Sequence, residues 1–359
     1  MLAYFIKKLG YALLTLWGVV SVVFFLFTIL PGDPARMMLD QNESAAQLLT
    51  IKKKYGFDQP ISKQYVLYLN DLSPISLHST QPDDYSFRQA NKYSGVVLLT
   101  LGQSEMMLKL PYLRESFQKN GKTVSSILAE TLPNTVLLAT VAIGIALFIG
   151  VFLGIISALY VNTWLDRLIS IVSTFGMSIP SFFSAILFAW IFGFLLHQYT
   201  QLPMTGSLYE VDDFGEGRYI AVKNIVLPAI VLGIRPLSVV IQLMRNSLLE
   251  VLGMDYIRTA RAKGMKTGQV IYKHALKNAL NPVVTALSGW FASMLAGAVF
   301  VEYIFGWNGL GKEIVEALNT LDLPIIMGAV LTIATAFVIL TILVDLIYAY
   351  LDPRVKLNK

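Results

Sequence analysis

Six runs of about 20 or more predominantly apolar residues dominate the sequence, at roughly 9–30, 134–160, 168–196, 225–248, 283–304 and 325–350. A helix of that length crosses the hydrocarbon core of a bilayer, and in lipid it satisfies its own backbone hydrogen bonds. The pattern therefore predicts an all-α membrane protein with six transmembrane helices. Composition agrees: 55% of the 359 residues are hydrophobic and only 14% are charged, too few charges to cover a soluble surface. The first run follows Lys7-Lys8 and so has the outline of a secretory signal. It is too long for a signal core and lacks a small-x-small cleavage site, so we read it as a retained span. Two shorter apolar stretches, 95–101 and 106–113, cannot cross and are expected outside the bilayer.

Charge bias in the short loops sets the expected orientation. The 245–281 loop carries Arg245, Arg258, Arg261, Lys263, Lys266, Lys273 and Lys277 against Glu250 and Asp255. Lys7 and Lys8 at the head and Arg354, Lys356 and Lys359 in the tail add to the same side. The 197–224 and 302–324 loops are instead acidic, with Glu210, Asp212, Asp213 and Glu216 in one and Glu302, Glu313, Glu316 and Asp322 in the other. With six spans, both termini, the 161–167 turn and the 245–281 loop fall in the cytoplasm, and 31–133 is external. The expected organisation is a cytoplasmic head with the first transmembrane helix over 1–30 and an external (periplasmic) segment over 31–133. A core with five transmembrane helices follows over 134–359. Turn signals at Pro31-Gly32-Asp33-Pro34, Ser73-Pro74 and Gln81-Pro82-Asp83-Asp84 mark the long external segment as a small packed lobe. Val124, Ile127, Leu128 and Leu132, at helical spacing, lead into the second span.

Several chemistries have no residues to run on. There is no cysteine, and the three histidines (His78, His197, His274) lie far apart, which argues against thiolate or histidine metal sites. The net charge of +5 is distributed between apolar runs and does not form the basic patch of a nucleic-acid binder. Gly306-Trp-Asn-Gly-Leu-Gly311-Lys312 matches G-x-x-x-x-G-K. Glu313 stands where a Ser or Thr would meet the metal, no strand precedes it, and its expected position is external; we read it as a glycine-rich turn. No nucleophile–base set lies within the spans, so we do not expect an enzyme.

Asp255-Tyr-Ile-Arg258-Thr259-Ala260-Arg261-Ala262-Lys263-Gly264 reads as a short helix ended by glycine, and a second helix follows from about Thr267 to Asn281, stopped by Pro282. Small residues flanked by basic ones on a cytoplasmic hairpin suit either docking into a partner or an ordinary positive-inside loop. Arg235, near mid-membrane and followed by Pro236, is an expensive residue to hold in a span; it is a candidate for the translocation pathway or for a structural ion pair. Pro180 interrupts the third span and is the other candidate pathway position, as a kink or a hinge. Asp345, near the end of the sixth, is expected to be a structural anchor against a basic residue such as Arg245. Gly150-x-x-x-Gly154 in the second span allows close helix approach.

Together the motifs resemble the permeases of ABC importers of the dipeptide/oligopeptide type. Thr259 to Gly264, followed by Lys273-His274-Ala275-Leu276-Lys277-Asn278-Ala279, resembles that family's EAA loop. Leu30-Pro31-Gly32-Asp33-Pro34 resembles its Leu-Pro-Gly-Asp-Pro signature, and Gly56-Phe57-Asp58-Gln59-Pro60 its external Gly-Leu-Asp-x-Pro motif. Glu302 to Gly311 and Leu351-Asp352-Pro353-Arg354 resemble the segments after the fifth and sixth spans. The resemblance implies a type I importer core in the bacterial cytoplasmic (inner) membrane. It implies a coupling loop, 245–281, whose Arg258 to Gly264 enter a cleft on an ATP-hydrolysing subunit, with Arg258-Thr259-Ala260 standing where Glu-Ala-Ala would be. It also implies a second permease subunit in a heterodimer, two ATP-binding subunits that hold the ATP and Mg, and an extracytoplasmic substrate-binding protein. No cofactor is expected on this chain. Nickel or oligosaccharide are the alternative cargoes. An ion-coupled secondary transporter is the alternative class, which would call for repeats and several buried carboxylates.

Overall fold

The computed structural model describes residues 2–29, 35, 45–82, 84–88, 92–119, 121–211 and 217–351. The Leu30 to Pro34 signature and nearly all of the Leu351 to Arg354 ending lie outside these residues. The chain forms two compact units, 1–130 with 316–334 and 131–315 with 335–359.

In the first unit, helix α1 (Leu2–Ile29) is apolar along its length. Two shorter helices, α2 (Ala45–Tyr55) and α3 (Ile61–Leu72), follow. The Gly56-Phe57-Asp58-Gln59-Pro60 motif is the joint between them. Gly56 takes a left-handed φ of 73°. Phe57 N–H donates to the Lys52 carbonyl at 2.9 Å and Gly56 N–H to that of Lys53 at 3.4 Å, the pairing that closes a helix C-terminus on a left-handed glycine. Pro60, with no N–H to lose, then starts α3. The expectation of an all-α chain is corrected in this lobe. Strands β1 (Ile75–Ser79), β2 (Gly95–Leu101) and β3 (Ser104–Lys109) form an antiparallel sheet in the order β1-β3-β2. The two apolar stretches too short to cross a membrane supply β2 and β3; seven residues rich in Val, Leu and Thr suit a strand.

The lobe packs on α1 through aromatic side chains: Phe24 stacks on Tyr68 with centroids 5.6 Å apart, and the Ser21 and Tyr65 hydroxyls meet at 2.5 Å. At its other edge Asp322 gathers the 116–118 backbone, accepting from Phe117 N–H at 3.1 Å and Gln118 N–H at 3.2 Å as well as from the Ser116 hydroxyl.

The long helix α4 (Val124–Leu159) leads into the second unit. Its remaining elements are α5 (Trp164–Ser178), α6 (Ser181–Leu195), a small hairpin of β4 (Tyr209–Val211) and β5 (Arg218–Ile220), and α7 (Val226–Leu252). Then come α8 (Asp255–Ala262), α9 (Thr267–Ala279), α10 (Asn281–Gly297), α11 (Val299–Phe305), α12 (Leu310–Thr320) and α13 (Leu323–Leu351). Among the described residues four helices are long and apolar enough to cross a membrane, or up to six spans if each of two bent pairs is one. One bent pair, α9 with α10, turns by 44°. The other, α5 with α6, turns by 108°, so the expected third span is not one continuous helix. Pro180 is the cause: Ile179 before it is held extended at ψ 131°, as the pyrrolidine ring requires.

Helix α7 is the core of this unit. The Gly150-x-x-x-Gly154 pair brings α4 against it so closely that a Cβ on Gly154 would stand 2.6 Å from the Met244 Cβ and 2.9 Å from the Ile241 carbonyl oxygen. Gly154→Leu is therefore expected to cost about 1–3 kcal/mol through overpacking. A lowered thermal midpoint of the detergent-solubilised protein reads it out, and Gly144→Leu, on the same helix with open space around it, is expected to leave the midpoint unchanged.

Candidate functional site

The loop between α7 and α10 is a compact helical hairpin. Ile257 and Ala260 face inward from α8 and are buried against Val251, Val270, Ala275 and Ala279. The Asn278 amide donates to the Tyr256 hydroxyl at 2.8 Å and ties α8 to α9. With those two positions turned inward, Arg258, Thr259, Arg261, Ala262, Lys263 and Gly264 are all exposed. The outward face thus combines small side chains with three positive charges. Asp255 opens α8, favourably placed at the positive end of the helix dipole, and pairs weakly with Arg258 at 3.5 Å in full solvent. Gly264 closes the turn at φ 81° with nothing within 4 Å of the place a Cβ would take, so its conformation and not crowding selects glycine.

The two candidate pathway positions come together. The cleft beneath the α5–α6 bend is lined by Ile179 and Ser181, the neighbours of Pro180, and by Arg235 and Pro236 of α7, with Trp290 and Ser293 of α10 opposite. Arg235 is exposed and, among the described residues, makes no ion pair or hydrogen bond. The cleft encloses about 70 Å³ in this chain, room for a few waters and short of the ~300 Å³ at which ligand sites begin.

Arg245 is held by Asp166. Its guanidinium forks onto Asp166, with Nε to Oδ1 at 2.7 Å and a terminal nitrogen to Oδ2 at 2.8 Å. The Ser157 hydroxyl donates to the same carboxylate at 2.5 Å and Asn162 N–H at 2.9 Å. Asp166 is buried and fully bonded, joining the end of α4, the start of α5 and the C-terminal third of α7. Sequence reasoning missed this residue because Asp166 looks like a loop charge in the short 161–167 turn. The signal was its place as the acidic residue of a turn otherwise expected to be basic. Asp345 lies in α13, and its side chain falls outside the described residues.

The glycine-rich stretch 306–312 wraps a carboxylate of its own chain. Gly311 N–H donates to Glu302 Oε2 at 2.6 Å and Lys312 N–H at 3.3 Å, at the first turn of α12. A Cβ on Gly309 would meet the same carboxylate at 2.4 Å. Trp307 is fully buried beside it and donates from its indole nitrogen to the Asn134 carbonyl at 3.1 Å. The backbone amides that a phosphate would need are already committed.

Apolar helices of spanning length, with a basic helical hairpin between α7 and α10, define an integral membrane protein. The family described as binding-protein-dependent transport system inner membrane component matches residues 150–357, and the corresponding N-terminal family matches residues 1–81. The dipeptide transport system permease protein DppB of Alkalihalophilus pseudofirmus is 34% identical, over 99% of this chain and 100% of its own. DppB of Escherichia coli K12 is 31% identical over the whole of both chains, and that of Bacillus subtilis 31% over 100% and 99%. Among solved structures, the inward-facing MetNI methionine ABC transporter is similar with a TM-score of 0.48 at 18% identity, covering 64% of this chain and 97% of that one. The chain belongs to the binding-protein-dependent transport system inner membrane component family, the membrane permeases of bacterial ABC importers.

Removing one partner of the Asp166–Arg245 pair strands the other. Asp166→Ala is expected to cost about 3 kcal/mol, and the double change Asp166→Ala with Arg245→Met less than the sum of the two single changes. Thermal melts of the four proteins in one detergent complete the cycle, and additive losses would show the pair to be uncoupled.

Proposed function

We propose that this chain forms half of the translocation pathway of an ATP-driven, binding-protein-dependent importer of di- and oligopeptides, with 245–281 as the loop that couples it to ATPase subunits. The observation that carries the reading is the outward face of α8. Its inner positions are anchored by Ile257 and Ala260, so the helix is rigidly held while Thr259, Ala262 and Gly264 present a low-relief surface flanked by Arg258, Arg261 and Lys263. Such a surface fits a cleft on a partner, since small side chains let backbones approach and buried anchors keep the geometry fixed. The relatives named as dipeptide permeases supply the cargo class.

In this reading residues 1–30 are the cytoplasmic head and first span, 31–133 stand on the external side, and 134–359 form the core, with both termini cytoplasmic. ATP and Mg are held by two partner subunits, and this chain contributes the difference in stability between inward- and outward-facing states. A binding protein delivers the peptide from outside. A second permease subunit, most simply a different chain, faces the cleft at Arg235 and Pro180 and completes a volume that this chain alone does not enclose. Arg235, unpaired on the cleft wall, meets the peptide's carboxylate.

Two experiments test these assignments. Gly264→Arg places a bulky cation in the left-handed turn; it is expected to abolish transport-stimulated ATP hydrolysis by the reconstituted complex while the chain still inserts in the membrane. Uptake by this chain with no ATP-hydrolysing partner present would sink the whole reading. Arg235→Gln is expected to lower uptake of free dipeptides about tenfold, the value of one charge-assisted hydrogen bond. Peptides amidated at the C-terminus should be affected far less, and equal losses for both would assign Arg235 to structure.

A further inference from the structure

The first unit contains a second cleft, of about 290 Å³, apart from the one at Arg235. Its walls are mostly apolar: Phe24 and Phe27 from the end of α1, Phe57 and Ile61 from the α2–α3 joint, Phe117, and Met327 from the start of α13, with Gln64 and Arg114 among the polar exceptions. A largely apolar recess of this size is poorly suited to ordered water. Its position says what reaches it. Two of its walls are the lobe-side ends of α1 and α13, both helices of spanning length, so it sits at the level where a bilayer's headgroups meet its acyl chains.

One wall is charged. Arg114 lines the cavity, and only its Nε is engaged, donating to Asp71 Oδ2 at 3.0 Å. Among the described residues nothing accepts from its two terminal nitrogens, and the guanidinium lies over the Tyr68 ring with its carbon 5.0 Å from the centroid. Arg114 also has a left-handed φ of 68°, a strained backbone for a residue with a Cβ, of the kind that folds retain at functional positions. Two carboxylates act on this cluster, Asp71 and Glu115, against three cations, and Asp71 is shared: Tyr93 donates to it at 2.8 Å, and Lys109 donates to its backbone carbonyl. Lys92 adds a further positive charge over the Tyr85 and Tyr93 rings. The neighbourhood therefore holds more positive than negative charge, and burial pushes the Lys92 and Lys109 ammonium groups down, as cations short of a counter-ion do.

We infer that this cavity is a binding site for an anionic phospholipid of the leaflet on the lobe's side, one acyl chain lying between α1 and α13 and the phosphate meeting the free edge of Arg114. Apolar walls with a single unsatisfied guanidinium at one end match an amphiphile with one negative head. The lipid completes the packing between the lobe and the two helices, which makes it a structural part of the first unit.

The full-length chain in phosphatidylcholine nanodiscs, doped with a phosphatidylglycerol carrying a diazirine on its acyl chain, tests this directly. Photolabelling is expected on peptides holding Phe24 to Thr28 and Leu113 to Phe117. It should be about tenfold stronger than with a phosphatidylcholine of the same labelled chain, the value of one charge-assisted contact. Arg114→Gln is expected to erase the headgroup preference. Because that change also strands Asp71, Thr28→Trp is the second variant: it fills the cavity from α1, where the Thr28 hydroxyl bonds only its own helix, and should bring labelling by both lipids to background without lowering the thermal midpoint. Inorganic phosphate added in excess is expected to change nothing. Equal labelling by the two lipids in the unaltered chain, labelling that survives Thr28→Trp, or displacement by phosphate alone would overturn the inference.

Discussion

Everything in the second unit depends on how closely α4 can approach α7. Inside a bilayer there is no water to drive helices together, so association rests on van der Waals contact and on the few polar groups that find partners. Gly150 and Gly154 remove the side chains that would hold the two backbones apart, and Val240 and Met244 fill the space they leave. The consequence shows in burial. Within the most apolar window of each helix, 67% of the one ending in α7 is buried, against 11% of α1 and 22% of α13. Helix α7 is thus an inner helix by construction, while α1 and α13 keep most of their surface for lipid or for other chains. The Asp166–Arg245 fork clamps one end of the same helix with directed bonds. Glycine packing sets the distance between helices, and the fork sets their rotation.

The apolar runs were legible because membrane burial writes itself into composition, and the positions of α1, α4, α7 and α13 follow the runs closely. Where the reading fell short, a local rule was overridden by geometry that sequence spacing does not carry. Pro180 announced a kink, but not that the bend would reach 108°. The lobe was legible as packed and turn-rich; its sheet was not, because β2 and β3 were screened for length in lipid and not for pairing. Arg235 and the neighbours of Pro180 lie on separate elements 55 positions apart in the chain, and nothing in either local sequence says that they share a cleft. Asp166 was invisible for the opposite reason: a carboxylate in a short polar turn is ordinary until its partner is known to come from α7.

The short helix α8 shows how a family motif can be understood in physical terms even where its name-giving residues differ. Two buried positions three apart, Ile257 and Ala260, hold the helix on the hairpin, and the outward residues are left with no part in that packing. That division separates what must be kept for folding from what must match another surface.

The carboxylate inside the 306–312 turn carries a lesson about reading motifs. A glycine-rich stretch before a helix is a receptor for negative charge, whoever supplies it. Here the chain supplies it from nine positions upstream of Gly311, and the receptor is filled from the moment the chain folds. Selection on such a segment acts on three places at once, the carboxylate and the two glycines that make room for it, so they should change together or not at all. A search pattern that omits the upstream acid will keep reporting a nucleotide site in proteins of this kind, and one that includes it will separate self-occupied turns from those that wait for a ligand.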